Sequence, residues 1–361
     1  MMKYQQEDKK ETNEIIKRLK KKNPEEKIQI LKEEICLFLK DDAERIKYIK
    51  ELDWEKKKDI IHWGQRKLFI SEVWFLTKYG ELGKTVVYAG SAPGTHIPFL
   101  SHLFPSHYFI LVDPSDFSLK DLPFDQTVKN RMEVKQQYFT DELAEELGRK
   151  YQDILFISDI RTANHQEQDQ EMVEIMVLKD NLKQRDWVKL LNAKKSLLKF
   201  RCPYPDRKNG KQNLRMLKGE IYLQPWIGHS STETRLIPDD SLEEIEYDNE
   251  KYEEQLAYHN KIVRRRKYNQ PIPDGEGFND SWDVSAEILI LYDFLKKFPQ
   301  FYPELSDIFE KIKQFSFDIS RNISLTARNL ATPMLHPDKR RRFVPKDHTS
   351  FYPDLKEIEK N

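Results

Sequence analysis

The apolar positions of this chain change period as it is read from one end to the other. In NPEEKIQILKEEICLFLK (23–40), Ile28, Leu31, Ile35, Phe38 and Leu39 form a stripe at helical spacing. Asn23 is placed to cap it and Pro24 suits the first turn. QRKLFISEVWFLTKYGEL (65–82) reads as a strongly apolar helix. Short apolar runs then alternate with longer polar segments. TVVYA (85–89), YFILVD (108–113), MEVKQQY (132–138), DILFISD (153–159), SLLKF (196–200) and TETRLI (232–237) read as strands. Helices are expected from near Gly94, over 141–151 with Asp141 near the start, and over about 165–192. Further helical segments are expected within 244–267 and 283–320, the latter broken near Pro299 and Pro303.

Strands alternating with helices predict an α/β fold with a mostly parallel sheet and helices on both faces, since the continuous apolar runs suit strands covered on both sides. Three parts are expected: a charged helical extension over 1–55, the α/β domain over 56–320, and a basic tail over 321–361 with few periodic apolar positions.

Composition narrows the chemistry. Lys plus Arg and Asp plus Glu both number 61, so the net charge of zero argues against a purely electrostatic nucleic-acid binder. Local basic clusters remain at 17–22 (KRLKKK), 264–267 (RRRK) and 339–342 (KRRR), each a solvated surface in its plainest reading. Two cysteines, Cys36 and Cys202, exclude a disulfide framework and a Cys-rich metal site. The start MMKYQQEDKK lacks the apolar core of a signal peptide, and no apolar run is long enough for a membrane span, so a soluble intracellular protein is expected.

The first strand enters a turn, AGSAPGTH (89–96), with Gly90 and Gly94. The spacing is not G-x-G-x-x-G, and the Lys-Ser/Thr of a P-loop is missing. Pro93 also removes a backbone donor that a phosphate cradle would use. A nucleoside ligand without a bound phosphate fits better, S-adenosylmethionine (SAM) being the evident one; the plain alternative is a tight turn. Asp113, about 20 residues on at the end of the second strand, suits a ribose-binding carboxylate, or else a turn cap before Pro114 and Ser115. Asp159 closes an apolar strand, at the edge where open α/β sheets place ligands. Lys199 interrupts another apolar strand and needs a partner or a function. Lys67 lies in the apolar helix, and Glu233 and Arg235 share one face of a short strand. Singly each reads as an ion-pair residue; together they put two lysines and two carboxylates around one sheet.

GQRKLFISEVWFL, TVVYAGSAPGTH, ISDIRT, LLKFRCPYPD, SSTETRLI and YEEQLAYHNKIVRR resemble, in the same order, the poxvirus-type family of cap-specific mRNA nucleoside-2′-O-methyltransferases that also serve as the small regulatory subunit of a viral poly(A) polymerase. The likeness covers about residues 62–268. It implies a SAM-dependent, Rossmann-like methyltransferase that acts on the ribose 2′-oxygen of the first transcribed nucleotide of m7G-capped mRNA, in a host cytoplasm, viral factory or virion. It implies a catalytic tetrad Lys67, Asp159, Lys199 and Glu233, and SAM contacts from Gln65, Tyr88, Gly90, Ala92, Gly94, Asp113 and Arg161. Ser115 stands where the family has an arginine. Lys199 would act as the base; burial and Lys67 favour its neutral form, while Asp159 and Glu233 oppose it. For the cap the likeness implies Tyr204 as a stacking ring and Asp206 and Glu253 as edge-reading acids, and it leaves the second stacking ring unplaced; Arg235, and for the downstream phosphates Arg264, Arg265, Arg266 and Lys267, are candidate substrate contacts. Two other readings stay open: a non-catalytic stimulatory subunit of a poly(A) polymerase, and a 2′-O-methyltransferase acting on another RNA.

Overall fold

The computed structural model describes residues 22–48, 64–119, 126–163, 168–204, 213–228, 231–267 and 282–326. Its centre is a seven-stranded sheet. The strands are β1 (Thr85–Ala89), β2 (Tyr108–Val112), β3 (Met132–Lys135), β4 (Ile154–Ser158), β5 (Lys195–Phe200), β7 (Gly219–Tyr222) and β8 (Thr234–Pro238), in spatial order β3-β2-β1-β4-β5-β8-β7. β6 (Leu214–Leu217) and β9 (Glu244–Tyr247) form a separate antiparallel pair. β1 to β5 pair in parallel, β8 pairs antiparallel to β5, and β7 antiparallel to β8. β8 alone therefore runs against the other six, which is the mostly parallel Rossmann-like sheet expected from the sequence. β1 and β4 are buried along their whole length, as continuous apolar runs covered on both faces require.

The helices are α1 (Pro24–Glu34), α2 (Gly64–Tyr79), α3 (Ile97–Leu103), α4 (Gln126–Lys129), α5 (Asp141–Lys150), α6 (Gln170–Leu190), α7 (Asn249–Tyr258), α8 (Trp282–Lys297) and α9 (Ile308–Thr326). Polar side chains start several of them: Asn23, Thr140, Asp169 and Asp248 each accept a backbone N–H of the first turn. At α1 the cap is reciprocal, because the Glu26 carboxylate accepts the Asn23 N–H in return. α2 buries Phe69, Ile70, Val73, Phe75 and Leu76. Each such side chain removed from water contributes about 1.5–3 kcal/mol, so this helix is anchored by its core face. Its first turn is fixed further by a buried pair: Arg66 Nε donates to Glu287 Oε2 on α8 at 2.8 Å and Arg66 Nη2 to Ser316 Oγ on α9 at 2.7 Å. Gln65 and Lys67 flank that anchor.

The N-terminal segment is part of this body. Ile28, Leu31 and Ile35 enter the core. Beyond α1, residues 37–39 lie along the free edge of β7: Leu39 N donates to Ile221 O and Leu223 N to Leu37 O, both at 2.8 Å. This covers the edge of the sheet. The expected break near Pro299 separates α8 from α9. Two expectations need correction. β6 and β7 have no counterpart in the sequence pattern; they are placed by pairing with β9 and β8. Residues 244–247 form β9 rather than helix, because their neighbour is β6, and the helix begins only after the Asp248 cap. It continues as a π-helix over His259–Lys267.

Candidate active site

The candidate side chains gather at the carboxyl ends of the parallel strands. Gly90 follows β1, Asp113 follows β2, Asp159 follows β4, and Lys199 lies one residue inside the end of β5. Glu233 immediately precedes β8 and still reaches the same edge, because an antiparallel strand begins where its parallel neighbours end. Lys67 comes down from the first turn of α2.

These groups form one charge network. Lys67 Nζ lies 2.5 Å from Glu233 Oε1. Lys199 Nζ lies 2.9 Å from Asp159 Oδ1 and 3.5 Å from Glu233 Oε2. Arg235, cross-strand partner of Lys199, reaches Asp159 Oδ1 at 2.6 Å and Glu233 Oε1 at 3.7 Å. Arg161 Nη2 closes the outer side, 2.5 Å from Glu233 Oε2. Burial pushes the Asp159 carboxyl up, yet Lys199, then Arg235 and Lys67, together bring it down to about 2. Glu233, pushed up by burial, is likewise held well below the ordinary range by Lys199, Lys67, Arg235 and Arg161. Burial lowers the Lys67 ammonium; Glu233 opposes this, and Arg235 and Lys199 add to it. Both carboxylates are therefore anions that organise cations. Lys199, with Ile160, Arg161, Arg201 and Glu233, lines an open pocket, whereas Lys67 lies beneath at 5% exposure.

The glycine turn sits against this network. Gly90 has φ +78°, and a Cβ there would stand 2.7 Å from Ile160 N and 2.9 Å from Asp159 O. Gly94 also has a positive φ, +70°. Only glycine lets the turn lie this close to the Asp159 backbone. Asp113 is fixed across the turn, accepting Ala92 N–H at 3.1 Å and Ser115 N–H at 2.8 Å. Its remaining lone pairs suit ribose hydroxyls. Gln65 Oε1 lies 2.9 Å from His96 Nδ1, so the start of α2 is tied to the far end of the turn. The carboxylate of Asp113, held across a turn that carries no lysine, fits a nucleoside methyl donor better than a phosphate. Tyr88 needs correction: its ring is 1% exposed and its hydroxyl donates to Glu72 Oε1 at 2.7 Å, so its side chain belongs to the core rather than to a cofactor.

A second cluster adjoins the first through β5. Tyr204 N donates to Glu174 Oε2 at 2.7 Å, and the Arg201 guanidinium, paired with the same carboxylate, lies 4.4 Å from the Tyr204 ring centroid. Tyr48 also stands against Tyr204. The two rings stand 6.3 Å apart, centroid to centroid, at 25° to one another. A flat base stacked between two rings needs a spacing of about 7 Å, close to this centroid distance. Tyr48 has no signal in the sequence, where it is a lone aromatic in a charged, aperiodic stretch; only the fold brings it to Tyr204 over 156 positions. Glu253 lies on the adjacent helix α7, whose Asn249 Nδ2 donates to Pro203 O at 3.4 Å. Asp206 and the side chains of Arg265, Arg266 and Lys267 lie outside the described residues.

Two arginines assigned to substrate are placed elsewhere. Arg235 is 2% exposed and engaged by Asp159, Glu233 and the Ser158 carbonyl, which makes it part of the tetrad's foundation. Arg264, also 2% exposed, donates to both Asp283 oxygens at 2.8 and 2.9 Å, to Asn260 Oδ1 and to Ile227 O. A guanidinium so enclosed is not available to a phosphate. Lys67, Asp159, Lys199 and Glu233 lie together in one network of ion pairs.

The chain is 30% identical over 249 residues, 64% of its own length and 70% of the relative's, to a protein of Myxoma virus (strain Lausanne) named cap-specific mRNA (nucleoside-2′-O-)-methyltransferase. It is 33% identical over 186 residues, 48% of its length, to a protein of the same name from Fowlpox virus (strain NVSL), of which 57% is covered. Residues 32–329 match the model of one protein family, and the chain belongs to it: the poly(A) polymerase regulatory subunit family.

Proposed function

We propose that this protein transfers a methyl group from S-adenosylmethionine to the ribose 2′-oxygen of the first transcribed nucleotide of m7G-capped mRNA. The observation that carries this reading is the Lys67–Asp159–Lys199–Glu233 network at the mouth of the Gly90–Gly94 turn. The names of the relatives support it. Gln65, Gly90, Ala92, Gly94 and Asp113 hold the methyl donor, with Asp113 on its ribose; Arg161 stands where the turn meets the tetrad. When bound, SAM supplies an electrophilic methyl on a sulfonium. A ribose hydroxyl is a weak nucleophile and needs a base within hydrogen-bond reach. Lys199 Nζ takes the 2′-hydroxyl proton as the neutral amine, having first released one ammonium proton to solvent; Asp159 and Glu233 orient Lys199, and Lys67 and Arg235 hold those carboxylates in place. Tyr48 and Tyr204 stack on the cationic 7-methylguanine, where the π faces favour a positive guest, and Glu253 and Asp206 accept its amino edge. Arg265, Arg266 and Lys267 contact the phosphates downstream.

The test uses the purified protein, labelled SAM and short RNAs bearing an m7G cap, an unmethylated cap or a 5′-triphosphate. Transfer to the m7G-capped RNA alone is expected. No transfer to any capped RNA sinks the reading, and equal transfer to all three favours action on another RNA. The family description supports a second role, as partner of a poly(A) polymerase catalytic subunit. Adding the protein to a cognate polymerase then lengthens tails; unchanged tails remove that role. A viral setting is supported by the organisms of the same relatives, and no helix among the described residues is long and apolar enough to cross a membrane.

A further inference from the structure

Tyr48 reaches Tyr204 at the end of a segment with no helix or strand of its own beyond residue 39. Such a segment holds an aromatic ring in register only if something fixes its backbone, since ordering each residue costs about 1–2 kcal/mol. One side chain supplies three of the contacts that fix it. Gln255 of α7 is 4% exposed, and the two N–H groups of its Nε2 are shared among three carbonyls of that backbone, Lys40 O at 3.2 Å, Asp41 O at 3.0 Å and Ala43 O at 3.3 Å. The neighbouring residue of the helix completes the attachment: Ile46 N donates to Glu254 O at 3.3 Å. Lys251, one turn earlier, pairs with Asp41 at 2.5 Å, but Asp41 is 98% exposed, so that pair adds little. Tyr48 then lies two residues past Ile46, with Lys261 Nζ 5.7 Å from its ring centroid. Helix α7 thus carries Glu253 on one of its positions and, two residues later, the amide that secures the segment bearing Tyr48.

We propose that Gln255 is a positioning residue for cap recognition: by donating to Lys40, Asp41 and Ala43 it seats residues 40–46 on α7 and sets the Tyr48 ring opposite Tyr204. The inference rests on the reading of that ring pair as the cap site. Its chemistry is specific. A glutamate at 255 has the same shape but offers no donor, and it sets a carboxylate against three carbonyl oxygens. A lysine restores donors. Neither change touches the tetrad or the glycine turn.

The experiment compares wild type, Gln255→Glu and Gln255→Lys in binding 7-methylguanosine triphosphate and, separately, SAM, with hydrogen exchange read at the Ile46 amide. Base–aromatic stacking is worth about 1–3 kcal/mol per ring, so Gln255→Glu is expected to bind the cap analogue about tenfold more weakly. SAM affinity stays within about twofold, Ile46 exchanges faster, and Gln255→Lys recovers most of the cap affinity. Cap affinity unchanged in Gln255→Glu overturns the inference, as does a parallel loss of SAM affinity, which marks general unfolding. If the wild type itself ignores the cap analogue, the cap reading fails; slower or unchanged exchange at Ile46 in Gln255→Glu then rejects the seating role independently.

Discussion

Replacing Lys199 separates a base from a mere cation. Lys199→Ala removes the ammonium 2.9 Å from Asp159 and 3.5 Å from Glu233. The drop of Asp159 from 3.8 to about 2 is worth about 2 kcal/mol, and Lys199 is the largest of the three cations that produce it. Its removal therefore lowers stability by about 1–2 kcal/mol, within the 5–15 kcal/mol of an ordinary domain. The catalytic effect is larger: loss of a positioned base costs about 10²–10⁴ in rate, or about 3–5 kcal/mol. Lys199→Arg sharpens the comparison, because a guanidinium keeps the positive charge between Asp159 and Glu233 yet does not give up its proton at working pH. Both variants are expected to lose at least 10²-fold in single-turnover methyl transfer to m7G-capped RNA, with SAM affinity by calorimetry within about twofold of wild type, since neither partner of Lys199 lies in the glycine turn. Lys199→Arg retaining more than about a tenth of the wild-type rate refutes the base role and leaves electrostatic stabilisation. A fall in SAM affinity as large as the fall in rate refutes the assignment altogether.

Four further outcomes are expected. Between pH about 2 and 3.8 the unfolded chain carries more protons at Asp159 than the folded one, so stability rises with pH there and is lost as pH falls through about 2; the deficit of Asp159→Asn, about 2 kcal/mol at neutral pH, should shrink toward zero in denaturation below that point, and a pH-independent deficit contradicts an origin in the cations around Asp159. Gly90→Ala forces a side chain to φ +78° and against Asp159 and Ile160, at a cost of about 1–2 kcal/mol for the backbone alone; thermal denaturation should show it, SAM affinity should fall at least about tenfold, and wild-type affinity argues against the turn as the donor site. Tyr48→Ala is expected to weaken 7-methylguanosine triphosphate binding about 5–100-fold with uncapped RNA unaffected; unaltered cap binding by fluorescence titration removes the ring pair as the site. Arg264→Ala leaves Asp283 buried without its cation and should cost about 3–5 kcal/mol in chemical denaturation while the salt dependence of RNA binding stays the same; a stable variant with weakened RNA binding returns Arg264 to the substrate interface.

Local pattern carried much of this protein. Continuous apolar runs bounded by turns reveal β1, β2, β4 and β5, because a strand covered on both faces has no polar alternation to confuse it. Asn23 and Pro24 mark the start of α1, because a helix terminus is satisfied by its nearest residues. Gly90 and Pro93 restrict the ligand of the turn through backbone geometry alone, and Lys199 is conspicuous as a charge inside an apolar strand. What the chain order conceals is whatever depends on partners far along it. Arg264 and Arg235 look alike as cations in sequence, yet Asp283 encloses one and the two tetrad carboxylates enclose the other. Tyr88 shares the turn's first strand, but its hydroxyl faces Glu72 in the core. β6, β7 and β9 are too short to announce themselves and exist through pairing across the fold. Tyr48 has no local signal at all. Its place opposite Tyr204 is decided by a helix about two hundred residues away, because a single aromatic ring acquires meaning only from what stands at stacking distance from it.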